Sequence, residues 1–164
     1  MCRGGQKAPL QQWQEPLMKI HHVGIAVKSL EQALPIFRRL TGTEPDSVEE
    51  VPDQKVRAAV FGLGESQIEL LEATAPDSPI ARFLDKGGKG VHHLTLAVSN
   101  LDQTLAGLEG DGFRLIDRQP RIGAGGQRIA FLHPSSTSGV LIELVEERDG
   151  DEGVARTPPS GPRL

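Results

Sequence analysis

Hydrophobic and polar residues are arranged in blocks that predict a strand, then a helix, then more strands. Residues 20–27 form a short apolar run rich in β-branched side chains, which is typical of a strand. Ser29 is a candidate N-cap, and apolar residues then recur at helical spacing up to Leu40. Pro35 lies inside this helix and is expected to kink it or loosen its first turns. Two further strands are predicted at 56–61 and 67–72.

The second half of the chain repeats this order. A strand is predicted at residues 91–98, followed by a helix that Asn100 caps and that runs to about Glu109. Gly110 and Gly112 provide the helix end. Between the halves, the Ser-Pro pair at residues 78 and 79 predicts a short helix to about residue 85, and glycine-rich residues 87–90 form a hinge. Three more strands are predicted at 113–118, 128–132 and 140–146.

The two halves also match residue by residue. Residues 19–34 read KIHHVGIAVKSLEQAL and residues 90–105 read GVHHLTLAVSNLDQTL, which share a His-His pair, an Ala-Val pair and two leucines. A second match follows at similar distance in each half, where residues 67–70 read QIEL and residues 141–144 read LIEL. Because both matches occur in the same order, the chain is interpreted as two copies of one module: a strand, a helix and two or three more strands.

The first strand of each module carries histidines. Alternate residues of a strand point to opposite faces, and one face of each strand is bulky and apolar, as needed under a helix, whereas the other is small, as needed around a cavity. His22 and His93 are therefore predicted to point into the cavity. His21 and His92 are predicted to lie at the start of the helix-facing side.

Glu69 and Glu143 lie within apolar strands, where a carboxylate is costly to bury without a partner. Two imidazoles and two carboxylates at equivalent positions form a natural divalent-metal site, and these donors suit Co, Mn, Ni, Fe, Zn or Mg. The alternative is that each glutamate is exposed or paired with an arginine, such as Arg57 or Arg128. The repetition of the pattern favours the metal site.

Composition and net charge argue against several classes of protein. With 164 residues, 37% hydrophobic and 24% charged, the chain is expected to fold as one globular domain. A net charge of −4 argues against general nucleic-acid binding, and no apolar run is long enough for a membrane span. The single cysteine, Cys2, excludes an internal disulfide framework. No secretory signal is visible, so we expect a cytoplasmic protein, with the mitochondrial matrix as the alternative.

The two ends differ from the middle. Residues 1–17 are rich in Gly, Gln and Pro, and residues 148–164 are rich in Pro and acidic residues, so we expect both to be disordered tails. Trp13 is the one residue of the first tail that could dock on the core. The domain is then residues 18–147, with one module at about 18–88 and the other at about 89–147.

The repeated module resembles the vicinal oxygen chelate superfamily and, within it, the methylmalonyl-CoA epimerase family. The resemblance covers about residues 19–146, and its most specific stretch is IGAGGQRIAFLHP at 122–134. The other matching stretches are IHHVGIAV (20–27), IELL (68–71), DSPI (77–80) with FL (83–84), GVHH (90–93) and GVLIEL (139–144).

This resemblance implies an α+β fold in which two tandem βαβββ modules form a half-open, curved mixed sheet around a metal site. It implies metal-dependent epimerisation of (2R)- and (2S)-methylmalonyl-CoA through a metal-stabilised enolate. The implied ligands are His22, Glu69, His93 and Glu143, with Co²⁺ as the first choice of metal and Mn²⁺, Ni²⁺, Zn²⁺ or Mg²⁺ as alternatives. Glu143 is also the implied catalytic base.

The acid or base on the other face of the substrate is left open. Some members of the family carry a glutamate where this chain has Ala58, and Lys55 stands where a glycine is usual. Glu69, His133 and a water molecule are therefore kept as alternatives for this second role.

The resemblance also implies an acyl-CoA substrate and a homodimer. Gly125, Gly126, Arg128 and His133 are candidate substrate contacts, although a turn position is the simpler interpretation of His133. The CoA phosphates need basic partners outside the cavity. The candidates for this contact are Arg121, Arg128, Lys86 and Lys89.

Three other functions compete with the epimerase. A glyoxalase-type isomerase would use similar metal chemistry on a glutathione hemithioacetal. A non-catalytic small-molecule-binding protein of the same fold would typically lack the four ligands. An iron ring-cleaving dioxygenase uses two histidines and one carboxylate, so a fourth ligand at Glu69 argues against it.

Overall fold

The computed structural model describes residues 19–147, which fold into one sheet and three α-helices. The strands are β1 (Lys19–Val27), β2 (Ser47–Val51), β3 (Val56–Leu63), β4 (Ser66–Ala73), β5 (Gly90–Val98), β6 (Arg121–Ile122), β7 (Arg128–Leu132) and β8 (Ile142–Glu146). The helices are α1 (Leu30–Thr41), α2 (Pro79–Asp85) and α3 (Leu101–Gly110).

The two modules join at the centre of the sheet. The strand order is β2-β3-β4-β1-β5-β8-β7-β6, and β1 pairs with β5 in antiparallel orientation. Within each half the first strand pairs in parallel with the last one, β1 with β4 and β5 with β8. Each half is therefore a βαβββ module, and the mixed sheet curls into a half-open barrel, which confirms the predicted fold class.

The helices begin where the sequence predicts. The side chains of Ser29, Ser78 and Asn100 each accept a hydrogen bond from a backbone N–H in the first turn of α1, α2 and α3. Pro35 lies within α1. The apolar side of α1 packs with Phe61 on β3, and that of α3 packs against the inner strands of the second half.

One glutamate in each half attaches the long helix to the sheet. The Glu72 carboxylate on β4 accepts a hydrogen bond from the backbone N–H of Leu30 at 2.9 Å. The Glu146 carboxylate on β8 accepts one from the backbone N–H of Leu101 at 3.1 Å. A negative charge at a helix N-terminus is also favourable for the helix dipole. Both glutamates lie three residues after a candidate metal ligand, so the repeat places ligand and helix anchor together.

The structure lacks one predicted strand and has two short strands, β2 and β6, that were not predicted. Residues 47–51 form β2 at the edge of the sheet, which the sequence analysis did not predict. Residues 113–118 do not form the predicted strand, and only Leu115 makes a β-bridge there, to Leu132. The Asp117 carboxylate accepts the hydrogen bond from the backbone N–H of Phe131 at 2.9 Å. That donor is therefore not available to a neighbouring strand, and the ladder does not form.

The predicted disordered tails, residues 1–17 and 148–164, lie outside the described residues, as do Cys2 and Trp13. Within residues 19–147, no helix is both long and apolar enough to cross a bilayer.

Candidate metal centre and substrate pocket

The concave face of the sheet encloses a cavity of about 770 Å³ that both modules line. All four predicted ligands face it: His22 on β1, Glu69 on β4, His93 on β5 and Glu143 on β8. The parallel pairings β1/β4 and β5/β8 bring a histidine and a glutamate together in each half, and the antiparallel β1/β5 pair brings the halves together. The prediction that these histidines point into the cavity is confirmed.

The candidate ligand atoms lie close together around the two imidazoles. The Nε2 atoms of His22 and His93 lie 3.2 Å apart, and the candidate ligand atoms of these two histidines and Glu69 all lie within 4.8 Å of one another. Glu69 Oε2 is 3.3 Å from His22 Nε2 and 3.9 Å from His93 Nε2. Glu143 Oε2 is 3.3 Å and 3.6 Å from the same two atoms. Both glutamates are buried, and within residues 19–147 their ion pairs are with these two histidines and not with Arg57 or Arg128, contrary to the alternative interpretation.

Burial and mutual contacts shift the pKa values of two side chains in the cluster, His22 and Glu143. The four side chains are between 6% and 12% exposed. Burial alone would lower the pKa of His22, but hydrogen bonding to Glu143 and Glu69 raises that pKa to about 9. Burial would raise the pKa of Glu143, but the hydrogen bond to His22 and the charge of His93 hold it below its usual range. Two buried carboxylates and two buried imidazoles therefore face one another at the place where a divalent metal would bind.

His21 and His92 also line the cavity, so the prediction that they lie on the helix-facing side was wrong. In the β1/β5 ladder, Ile20 and His22 pair with the adjacent residues Leu96 and Thr95, so His21 is an extra residue. His92 is the corresponding extra residue on β5. A β-bulge of this kind re-aims a side chain that strict alternation would turn away.

Each bulged histidine contacts the candidate ligand next to it. His21 Nδ1 lies 2.8 Å from His22 Nδ1, and His92 Nδ1 lies 3.0 Å from His93 Nδ1. Burial lowers the pKa of His21, and burial together with the charge of His93 lowers that of His92 to about 4. Contacts of this kind fix the ring orientation of a ligating histidine.

Gly24 makes room for one of the candidate ligands. It lies opposite His93 in the β1/β5 ladder, and a Cβ built on Gly24 would be 2.2 Å from His93 Cε1. No side chain fits there unless the imidazole moves. The glycine is thus required for the position of His93, a role that the sequence analysis did not assign.

Thr95 is another residue of the site that the sequence analysis missed. It is fully buried, and its hydroxyl lies 2.9 Å from His22 Nε2 and 2.6 Å from Glu143 Oε2. The available signal was the repeat itself, because Thr95 occupies the position that Gly24 occupies in the first module.

The predicted substrate contacts are only partly placed at the cavity. Among the described residues, Gly125 belongs to the lining, whereas Gly126, Arg128 and His133 do not. The Arg128 guanidinium forms ion pairs with Asp102 and Glu146. The His133 ring lies 2.8 Å from the Ser135 hydroxyl in a turn, in agreement with the simpler interpretation of this histidine.

Of the four basic residues predicted to contact the CoA phosphates, one lines the cavity. Arg121 lines the cavity with its guanidinium 5.2 Å from the centre of the Phe131 ring, while Lys86 and Lys89 are not part of the lining. Lys55 and Arg82 line the cavity and were not among the candidates. Lys55 forms an ion pair with Asp77.

The sequence matches the family model of the Glyoxalase/Bleomycin resistance protein/Dioxygenase superfamily over residues 21–131. It is 40% identical over 134 residues to protein YqjC of Bacillus subtilis, covering 82% of this chain and 95% of that protein. It is 36% identical over 129 residues to the mitochondrial methylmalonyl-CoA epimerase of Bos taurus, covering 78% of this chain and 74% of that protein.

Solved structures of methylmalonyl-CoA epimerases have the same fold as this chain. The methylmalonyl-CoA epimerase of Mycobacterium tuberculosis superposes with a TM-score of 0.78 at 36% identity, covering 84% of this chain and 93% of that one. A methylmalonyl-CoA epimerase in complex with methylmalonyl-CoA and NH₄⁺ superposes with a TM-score of 0.77 at 34% identity, covering 87% and 100%. The chain therefore belongs to the methylmalonyl-CoA epimerases, a family of enzymes within this superfamily.

Proposed function

We propose that the chain interconverts the (2R) and (2S) epimers of methylmalonyl-CoA by moving a proton at the α-carbon, with a divalent metal ion held by His22, Glu69, His93 and Glu143. The observation that carries this proposal is the cluster in the cavity: the ligand atoms of His22, Glu69 and His93 lie within 4.8 Å of one another, and Glu143 Oε2 lies 3.3 Å and 3.6 Å from the two imidazole nitrogens. The relative solved with methylmalonyl-CoA supports the choice of substrate.

The residues present suit a divalent metal. Two imidazole nitrogens and two carboxylates form a mixed N/O donor set of the kind that Co²⁺, Mn²⁺, Ni²⁺ or Zn²⁺ accepts. When bound, such an ion supplies Lewis-acid stabilisation for the negative charge that develops on the substrate oxygens. Co²⁺ remains the first choice, as the family resemblance implies.

Glu143 is assigned the proton transfer on one face of the substrate. Its carboxylate is held ionised inside the cavity, and an ionised carboxylate can accept the α-proton if the substrate lies beside it. His133 lies outside the cavity, so Glu69 and a water molecule remain for the other face.

The CoA portion is proposed to leave the cavity past Arg121, whose side chain forms part of the wall. A guanidinium suits phosphate oxygens because it offers several donors in a plane. The homodimer implied by the family resemblance stays a prediction.

The test is proton exchange in deuterium oxide. Metal-loaded protein is incubated with (2S)-methylmalonyl-CoA, and the α-proton signal and the epimer ratio are followed by NMR. We expect exchange together with epimerisation, loss of both after metal removal, and recovery with Co²⁺.

Glu143→Gln provides the residue control, since glutamine keeps the size of the side chain but cannot accept the proton. We expect this variant to be nearly inactive. Full activity of a metal-bound Glu143→Gln protein would contradict the role of Glu143. Absence of exchange in the wild-type protein with Co²⁺ or Mn²⁺, combined with turnover of the methylglyoxal–glutathione hemithioacetal, would replace the epimerase with a glyoxalase-type isomerase.

A further inference from the structure

The two modules differ at one position beside the metal cluster. Gly24 and Thr95 each follow the candidate ligand of their own strand by two residues, and each lies opposite the other strand's ligand in the β1/β5 ladder. Gly24 is opposite His93, and Thr95 is opposite His22. A near-twofold site thus has a hydroxyl group on one side and only a hydrogen atom on the other.

The Thr95 hydroxyl bridges two ligands. It donates a hydrogen bond of 2.6 Å to Glu143 Oε2 and lies 2.9 Å from His22 Nε2. The same Oε2 atom is the one that approaches both imidazoles, at 3.3 Å and 3.6 Å. Thr95 is 0% exposed, so water does not compete for this hydrogen bond.

A hydroxyl group has one hydrogen to donate. The geometry directs the Thr95 hydrogen to Glu143 Oε2, the shorter of the two contacts, and leaves the hydroxyl oxygen facing His22 Nε2. If His22 Nε2 binds a metal, that second contact ends, while the bond to Glu143 persists because it uses the hydroxyl hydrogen. The bond to Glu143 is therefore common to both states.

We propose that Thr95 is a positioning residue that orients the Glu143 carboxylate toward the metal centre, which makes Glu143 the fixed carboxylate of the pair and Glu69 the less constrained one. The corresponding position beside Glu69 belongs to Gly24, which has no side chain to donate. Holding Oε2 leaves Oε1 as the oxygen that can approach the substrate. This inference rests on the proposed metal-dependent epimerase.

The test compares the binding of Co²⁺ alone, followed by calorimetry and by the visible spectrum of the bound ion, in Thr95→Val and Thr95→Ser proteins. Valine keeps the shape but removes the hydroxyl, so we expect Co²⁺ affinity to fall by about tenfold or more, as is usual when a hydrogen bond to a metal ligand is lost. We also expect a changed Co²⁺ spectrum and a lower kcat with little change in KM. Serine keeps the hydroxyl and should recover most of the affinity.

Thr104→Val is the matched control. Thr104 is 1% exposed, and its hydroxyl donates to the backbone carbonyl of Asn100 at 2.8 Å, away from the cavity. This variant loses a buried hydroxyl and its hydrogen bond, but we expect wild-type Co²⁺ affinity, spectrum and kcat.

Wild-type values in Thr95→Val, or equal losses in Thr95→Val and Thr104→Val, would overturn the role of Thr95. If Thr95→Val does not fold, Thr95→Ala replaces it under the same criteria. A wild-type protein that binds no metal at all would instead refute the proposed metal site, so the two failures are distinguishable.

Discussion

The two halves of the molecule follow one plan but depart from it in different regions. Strands at equivalent positions differ in length: β2, β3 and β4 have five, eight and eight residues, whereas β6, β7 and β8 have two, five and five. The strands that carry the histidines are alike, with nine residues each and one bulge at the His-His pair. The metal cluster and the helix anchors therefore keep the repeat, and the outer parts of the cavity differ between the halves.

The difference has a consequence for the substrate. The four candidate ligands come equally from both halves, whereas an acyl-CoA ester is long and asymmetric. In the second module the edge strand β6 has two residues, where its counterpart β2 has five. The turn that follows, Ala124–Gly126, places Ala124 and Gly125 in the cavity lining, as the turn Pro52–Gln54 places Asp53 and Gln54 in the first module. Gly125 has a φ of 66°, a conformation that glycine adopts without strain.

The largest expected effect comes from removing one histidine from either half. His22→Ala and His93→Ala should each abolish tight metal binding and lower kcat/KM by at least about 100-fold, the scale of losing a main electrostatic stabiliser. Because both imidazoles serve one ion, the two losses should be similar. Steady-state kinetics measures kcat/KM of each variant, and metal analysis of the purified protein measures the bound ion.

His133→Ala is the control for these variants, since His133 lies in a turn outside the cavity. It should retain activity and metal. A large loss in only one of the two ligand variants would show that the halves do not share the ion.

A smaller effect is expected from one added methyl group beside His93. Gly24→Ala places a Cβ where the His93 ring now lies, so the ring must move away from the cluster. We expect metal affinity to fall by about 10- to 100-fold, as for other changes that misplace a ligand. Gly110→Ala adds the same group with nothing within 4 Å and should bind metal normally. Equal affinities in the two variants would contradict the role given to Gly24.

The smallest effect concerns the helix anchors and is measured by urea unfolding. Glu72→Ala and Glu146→Ala each leave the first N–H of a helix without its carboxylate partner, which costs about 1 kcal/mol of unfolding free energy. We expect the larger loss for Glu146→Ala, because the Glu146 carboxylate also accepts two hydrogen bonds from Arg128. A larger loss for Glu72→Ala would reverse this comparison of the two halves.

The repeat allowed much of the molecule to be predicted. It identified the strands and helices around the cluster and two of the four histidines that face the cavity, His22 and His93, because two copies of a pattern exclude most chance matches. The four ligands themselves came from the pattern and the family resemblance together, and their metal-binding role stays a proposal.

The bulges at His21 and His92 could not be predicted. Strict alternation places adjacent histidines on opposite faces, and only the pairing of β1 with β5 shows that one residue in each strand is extra. The missing strand at 113–118 has a similar cause, since its apolar pattern is suitable but Asp117 takes the hydrogen bond of a neighbouring strand. Thr95 acts through contacts with two other strands, which the pattern of its own strand does not reveal.

The claim that both halves bind one ion is tested most directly by anomalous diffraction from crystals grown with Co²⁺, recorded at the cobalt absorption edge. The account predicts a single strong peak at a ligand distance of about 2.0–2.3 Å from the nitrogen and oxygen donors of His22, Glu69, His93 and Glu143. A peak elsewhere, or one that only the residues of a single module contact, would contradict it.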